Sequence, residues 1–173
     1  AIQCWGIQSA TLSNCIITQN TTSQSALIVN GASAKITGNL IINNTSTGIG
    51  SFGAGIGTAN GSTAIIVNNI IVNNTGGAGI DATGCNTSSF NTNNIIIGNS
   101  GSGISKLYFN LPTIANNIIA SNRQYGIYAD QVSVTIYNND LWNNTGGNYG
   151  GVFTDQTGLN GNFSSDPKFA NSA

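Results

Sequence analysis

At 173 residues the chain can bury one real core but not two ordinary domains. Four Lys or Arg against five Asp, with no His, Glu or Met, leave a net charge of −1 and exclude a nucleic-acid reader, which needs a basic stripe. No apolar run approaches the roughly 20 residues of a membrane-spanning helix.

Only 5% of residues are charged, against about 25% in an average domain. The polar surface is therefore built from Ser, Thr, Gln and 28 Asn, and little repulsion keeps copies apart. Hydrophobic residues make up 39% and recur regularly, which argues against disorder. The chain starts in repeat-like sequence at Ala1 and is read as a mature or excised chain.

Taken in chain order, one pattern recurs: an apolar residue, two spacers, a ladder residue, three mostly apolar residues, a small polar one, then Asn. It runs from Leu12 to Asn20, Ile36 to Asn44, Ile66 to Asn74, Asn91 to Asn99 (weaker at its start), Ile114 to Asn122 and Ile136 to Asn144. The ladder residues are Cys15, Asn39, Asn69, Asn94, Asn117 and Asn139, spaced by 24, 30, 25, 23 and 22 residues. The long coil carries a Gly-rich insertion near Ser46 to Ala54. A Gly-Ile step precedes most coils, at Gly6-Ile7, Gly55-Ile56, Gly79-Ile80, Gly103-Ile104 and Gly126-Ile127. Short β-branched runs divided by Gly, Asn, Ser and Thr predict an all-β parallel β-helix, a solenoid of about six coils. Residues 1–150 form the coils, and 151–173 form a polar tail placed to cap the last one.

The recurrent Asn has a physical reason. Coils stack about 4.8 Å apart, and at that spacing each amide can bond the next. Asn also tolerates the left-handed backbone of a tight bend. Of the three cysteines, Cys4 and Cys15 are either a bridge across the first coil, leaving Cys85 free, or all three are buried thiols.

These repeats resemble those of the pectin-lyase-like right-handed parallel β-helix family over nearly the whole chain. Tyr137-Asn138-Asn139-Asp140-Leu141-Trp142-Asn143-Asn144, Gly146-Gly147-Asn148-Tyr149 and Ser165-Asp166-Pro167-Lys168-Phe169 are especially similar to late coils of bacterial secreted members. The resemblance implies right-handed coils and an extracellular or cell-surface setting. It says little about activity, because the fold hosts lyases, hydrolases, adhesins and structural proteins.

Without His or Glu, most general acid–base chemistry is gone. Asp81, Asp130 and Asp140, with Lys106 and Arg123, are the remaining catalytic candidates, and their offsets form no aligned carboxylate cluster. Asp155 and Asp166 read as solvated turn residues. Neither a catalytic set, a metal site nor a cofactor is expected. Tyr108, Tyr125, Tyr128, Tyr137, Trp142 and Tyr149 concentrate in the second half, where they either stack on sugars or pack coils and ends.

With the ladder residue and the one two beyond it facing inward, Ile17, Ile41, Ile71, Ile96, Ile119 and Leu141 enter the core. The alternate positions face outward: Ile16, Leu40, Ile70, Ile95, Ile118 and Asp140 in one column, Thr18, Ile42, Val72, Ile97, Ala120 and Trp142 in the other. This mostly apolar stripe is either a contact with other copies or is covered by the chain's own insertion or tail. Unpaired edges at both ends would also allow head-to-tail stacking.

Sequons occur at Asn20, Asn43, Asn44, Asn60, Asn73, Asn86, Asn143 and Asn162. Asn20, Asn43, Asn73 and Asn143 are taken as the glycosylation candidates. The sequence thus reads as a non-enzymatic, extracellular structural protein, a self-associating subunit of a fibre, surface layer or adhesin. The alternative is a carbohydrate-binding or polysaccharide-cleaving module.

Overall fold

The computed structural model describes residues 1–6, 9–48, 53–86, 88–105, 112–130 and 134–170. Ile7, Lys106, Tyr108 and the middle of the predicted insertion lie outside them. Among the described residues there is no helix, and three parallel sheets form the walls of a solenoid.

Sheet 1 stacks Ile2–Trp5, Leu27–Asn30, Ile56–Ala59, Ile80–Asp81, Ile104–Ser105, Tyr125–Ala129 and Gly147–Gly151. Sheet 2 stacks Ala10–Ser13, Ser33–Thr37, Thr63–Val67, Phe90–Thr92, Thr113–Ala115 and Thr135–Tyr137. Sheet 3 stacks Ile16–Thr18, Leu40–Ile42, Ile70–Val72, Ile95–Ile97, Ile118–Ala120 and Asp140–Trp142. Each strand pairs in register with its equivalents in the coils above and below, so like positions form columns along the axis. The core is three such columns, one per sheet, and Ile56, Ile66, Ile71, Ile80, Ile96, Ile104 and Ile114 are fully buried in them. Asn91 interrupts the sheet 2 column between Ile66 and Ile114, and its buried Oδ1 has no partner.

The predicted ladder turns the corner between sheets 2 and 3. Asn39 Nδ2 donates to Asn69 Oδ1 (3.0 Å), Asn69 to Asn94 (3.1 Å), Asn94 to Asn117 (3.1 Å) and Asn117 to Asn139 (2.9 Å). Each Oδ1 also accepts the backbone N–H of the preceding rung. Cys15 has no amide, so Asn39 Oδ1 receives only its backbone N–H, at 3.0 Å.

One expectation about these Asn needs correction, and a further ladder joins the first. The left-handed backbone falls one residue before the ladder, at Asn14, Gly38, Asn68, Asn93, Asn116 and Asn138. The bend and the ladder are separate tasks: an exposed residue takes the strained φ while its neighbour turns its amide inward. A second ladder also runs parallel to the first, five residues later, at the exit from sheet 3. Asn20 bonds Asn44 (2.9 Å), and the chain of amides continues through Asn74, Asn99, Asn122 and Asn144.

The winding runs past residue 150. Asn139 Nδ2 donates to Asn162 Oδ1 (3.0 Å), and Phe163 bridges to Asp140, extending sheet 3 by a further rung. The final amides turn back onto this chain: Asn162 Nδ2 donates to Leu159 O and Asn144 Nδ2 to Asn148 Oδ1. The segment expected as a tail is therefore in part another coil.

Cys4, Cys15 and Cys85 are free thiols, which corrects the bridge considered between the first two. Cys4 pairs with Val29 in sheet 1, whereas Cys15 stands at the corner of sheets 2 and 3, its Sγ donating to Ser13 O at 3.2 Å. Burial pushes the Cys4 thiol up and the Cys85 thiol to about 11, which leaves ~0.1% thiolate there at pH 8. A thiol reagent at pH 8 should label half-exposed Cys15 quickly and the other two only on unfolding. Rapid labelling of all three in the native protein would contradict this burial.

Candidate functional site

The outer face of sheet 3 is an extended, mostly apolar surface. Its first column is Ile16, Leu40, Ile70, Ile95, Ile118 and Asp140, continued by Phe163. Its second is Thr18, Ile42, Val72, Ile97, Ala120 and Trp142. The strand alternation puts Ile17, Ile41, Ile71, Ile96, Ile119 and Leu141 inside, all buried, as the sequence pattern implies. Ile16 is 71% exposed, Ile70 43%, Trp142 37% and Phe163 49%. Leu40, Ile42, Val72, Ile95, Ile97 and Ile118 are half-buried by their column neighbours. Of the tail, Phe163 and Ser165 reach the last position of the stripe, Asp140, while Ile16, Ile70 and Trp142 stay exposed.

Asp140 departs from the outward reading. It is only 6% exposed, because the added rung lies beside it and Ser165 N–H donates to its Oδ1 at 3.0 Å. Ala120, in the coil below, is also buried. The stripe thus ends in two buried positions flanked by exposed Trp142 and Phe163.

A second feature is a cleft of about 470 Å³ along sheet 1 and the turn that leads into it. Its polar lining includes Asp81, Ser102, Ser105 and Gln124, and its wall carries Tyr125 and Tyr128. The two rings are 5.5 Å apart and inclined at 36°. Tyr125 gains its room from Gly150 in the next coil, where a Cβ would fall 2.4 Å from the ring. Asp81 pairs in register with Ser105, and its Oδ1 accepts the N–H (3.0 Å) and the hydroxyl of Thr83.

The titratable candidates do not converge. Asp81 is on sheet 1, Asp140 on sheet 3, Arg123 exposed in a turn and Asp130 just past the strand Tyr125–Ala129. Among the described residues no three His, Cys, Asp or Glu side chains group as a metal would require. Asp155 and Asp166 are exposed. Their carboxyls lie below the usual range because the Thr157 and Lys168 side chains, respectively, donate to them.

The sequons divide cleanly. Asn43, Asn73 and Asn143 are exposed corner residues with φ of 56°, 53° and 53°. Asn44 and Asn162 are buried rungs, and Asn20 donates its amide to Asn44. The second ladder escaped the sequence reading although its signal was present: an Asn stands five residues after every ladder position.

A single-chain parallel β-solenoid, held by two inward Asn ladders and carrying a mostly apolar outer face on one sheet, is the class of protein that these features define. The chain belongs to the family described as the right handed beta helix region, whose model matches residues 1–172. The coils are accordingly right-handed, and the likeness to pectin-lyase-like proteins holds at the superfamily level. No curated protein and no solved structure matches the chain.

Proposed function

We propose that the chain is a non-enzymatic, extracellular structural protein that associates with copies of itself, as a subunit of a fibre, surface layer or adhesin. The observation that carries this reading is the open apolar face of sheet 3, on a molecule whose net charge is −1. Six coils at about 4.8 Å make the stripe roughly 29 Å long. Two such faces would bury roughly 600 Å² and contribute about 15 kcal/mol gross at about 25 cal/mol/Å². Association costs about 4–15 kcal/mol, so each contact is weak and gains from repetition. Because the last Asn amides already bond within the chain, the lateral contact has more support than the head-to-tail one. Exposed Asn43, Asn73 and Asn143 are the positions where glycans would sit, on the corner next to this face.

Electron microscopy of untreated secreted material should show ordered assemblies. Changing Ile70, Ile95 and Ile97 together to Thr should weaken assembly at least tenfold while β-type circular dichroism is kept. Unchanged assembly would remove the stripe from the explanation.

The cleft on sheet 1 favours a second reading, a polysaccharide-binding module. Tilted tyrosine rings beside hydroxyls, an amide and a carboxylate offer both a stacking face and hydrogen bonds to a sugar. On that reading Tyr125→Ala or Tyr128→Ala should weaken retention in affinity electrophoresis through polysaccharide gels at least tenfold; equal mobility in gels with and without polysaccharide would dismiss it. Cleavage of acidic polysaccharide, lost on changing Asp130 or Arg123, would instead make the chain an enzyme.

A further inference from the structure

We infer that the occupant of the sheet 3 face is a second copy of this chain, lying parallel and side by side, with the two-fold axis along the solenoid. This rests on the reading of the chain as self-associating and fixes the geometry of the contact. Such an axis lays the Ile16 column of one copy against the Thr18 column of the other, coil by coil. The two columns complement each other in size. Fully protruding Ile16 meets the smaller Thr18, and Ile118 meets buried Ala120. Trp142 meets Asp140, and the middle coils set residues of similar size together.

Polarity separates this arrangement from the antiparallel one. With the axes antiparallel, Ile16 would close over the Asp140 carboxylate, removing its remaining water without a replacement donor. In the parallel pair the group facing Asp140 is the Trp142 indole, whose N–H can donate to a carboxylate. One Asp140 oxygen already accepts from Ser165, so the other is the acceptor that remains. No other charged side chain stands in either column, so no like charges oppose the contact. The matching outer column of sheet 2 runs Thr11, Lys35, Ile65, Phe90, Thr113 and Thr135, so its two apolar residues are flanked by polar ones. An isologous contact through one such face closes on itself, making the pair the unit from which any larger assembly is built.

Disulfide trapping tests the geometry. Cys15→Asn removes the thiol next to Ile16, and two versions of that chain are mixed, one with Ile16→Cys and one with Thr18→Cys. Under mild oxidation the parallel pair predicts covalent dimers linked 16 to 18. In an antiparallel pair those positions would be five coils, about 24 Å, apart, far beyond disulfide reach. Linkage of the Thr18→Cys chain to one carrying Trp142→Cys would overturn the parallel orientation while leaving self-association standing. Ile70→Lys should cut dimer formation at least tenfold in sedimentation. Chains that stay monomeric at millimolar concentration would overturn both the geometry and the self-association beneath it.

Discussion

Replacing Asn94 with Leu is expected to lower stability by about 3–5 kcal/mol, because it orphans buried groups in two coils at once. Asn94 Oδ1 accepts the backbone N–H and the amide of Asn69, at 3.0 and 3.1 Å. Its Nδ2 donates to Ile66 O at 2.9 Å and to Asn117 Oδ1 at 3.1 Å. Leu matches much of the volume but supplies neither partner, and water cannot reach a site that is 1% exposed. Asn93, next along the chain, is exposed and left-handed, so Asn93→Gly should stay within about 0.5 kcal/mol of the parent. Cys15→Asn should add about 0.5–1 kcal/mol by giving Asn39 Oδ1 its missing amide donor. Denaturant titration of the three variants decides the matter. Equal losses at Asn94 and Asn93 would mean that the ladder does not carry the stability assigned to it.

Gly103→Ala is expected to cost about 2–3 kcal/mol from one added methyl. A Cβ there would stand 2.3 Å from Ile119 Cγ2, 2.7 Å from Gly126 O and 3.1 Å from Asn122 Nδ2. It would press on the core, the next coil's backbone and the second ladder together. The same crowding recurs at Gly79 and Gly126, and against core and backbone at Gly55, which explains these three Gly-Ile steps. Gly6 is not one of them, since it follows sheet 1 beside Gly31 and a Cβ there would meet nothing within 4 Å. The first coil carries Ala26 at the equivalent place, fully buried, so the closure there tolerates a methyl. Gly61→Ala provides the contrast. A Cβ meets nothing within 4 Å there, and only the φ of 71° is strained, at a cost of about 1 kcal/mol. A smaller loss at Gly103 than at Gly61, measured by denaturant titration, would refute the packing argument.

The walls of the solenoid were legible because their signal is local. Three apolar residues after an Asn fix a strand, and alternation fixes which of them face inward. What escaped notice depended on how coils align across turns of different length. The spacing of ladder residues ranges from 22 to 30, so only the folded chain shows Asp81 beside Ser105, and with them the cleft. Asn162 stands 23 residues after Asn139 as a regular rung, yet the apolar run that marks earlier rungs is replaced by Phe163-Ser164-Ser165. The burial of Asp140 was hidden for the same reason, since the strand that covers it has no apolar signature. The Asn pairs at the corners were visible, but the division of labour within each pair was not. Both members are Asn at many corners, and Gly38 and Gly98, standing with Gln19 and Ser121 at the first position, are the hint that it alone needs a left-handed backbone.

The association of copies through sheet 3 is tested most directly by sedimentation velocity of the intact chain over a range of concentrations. The expected result is a reversible rise in weight-average mass from 17.7 kDa as concentration increases, abolished by Ile70→Lys. A single species of 17.7 kDa at every concentration, unchanged by that substitution, would contradict it.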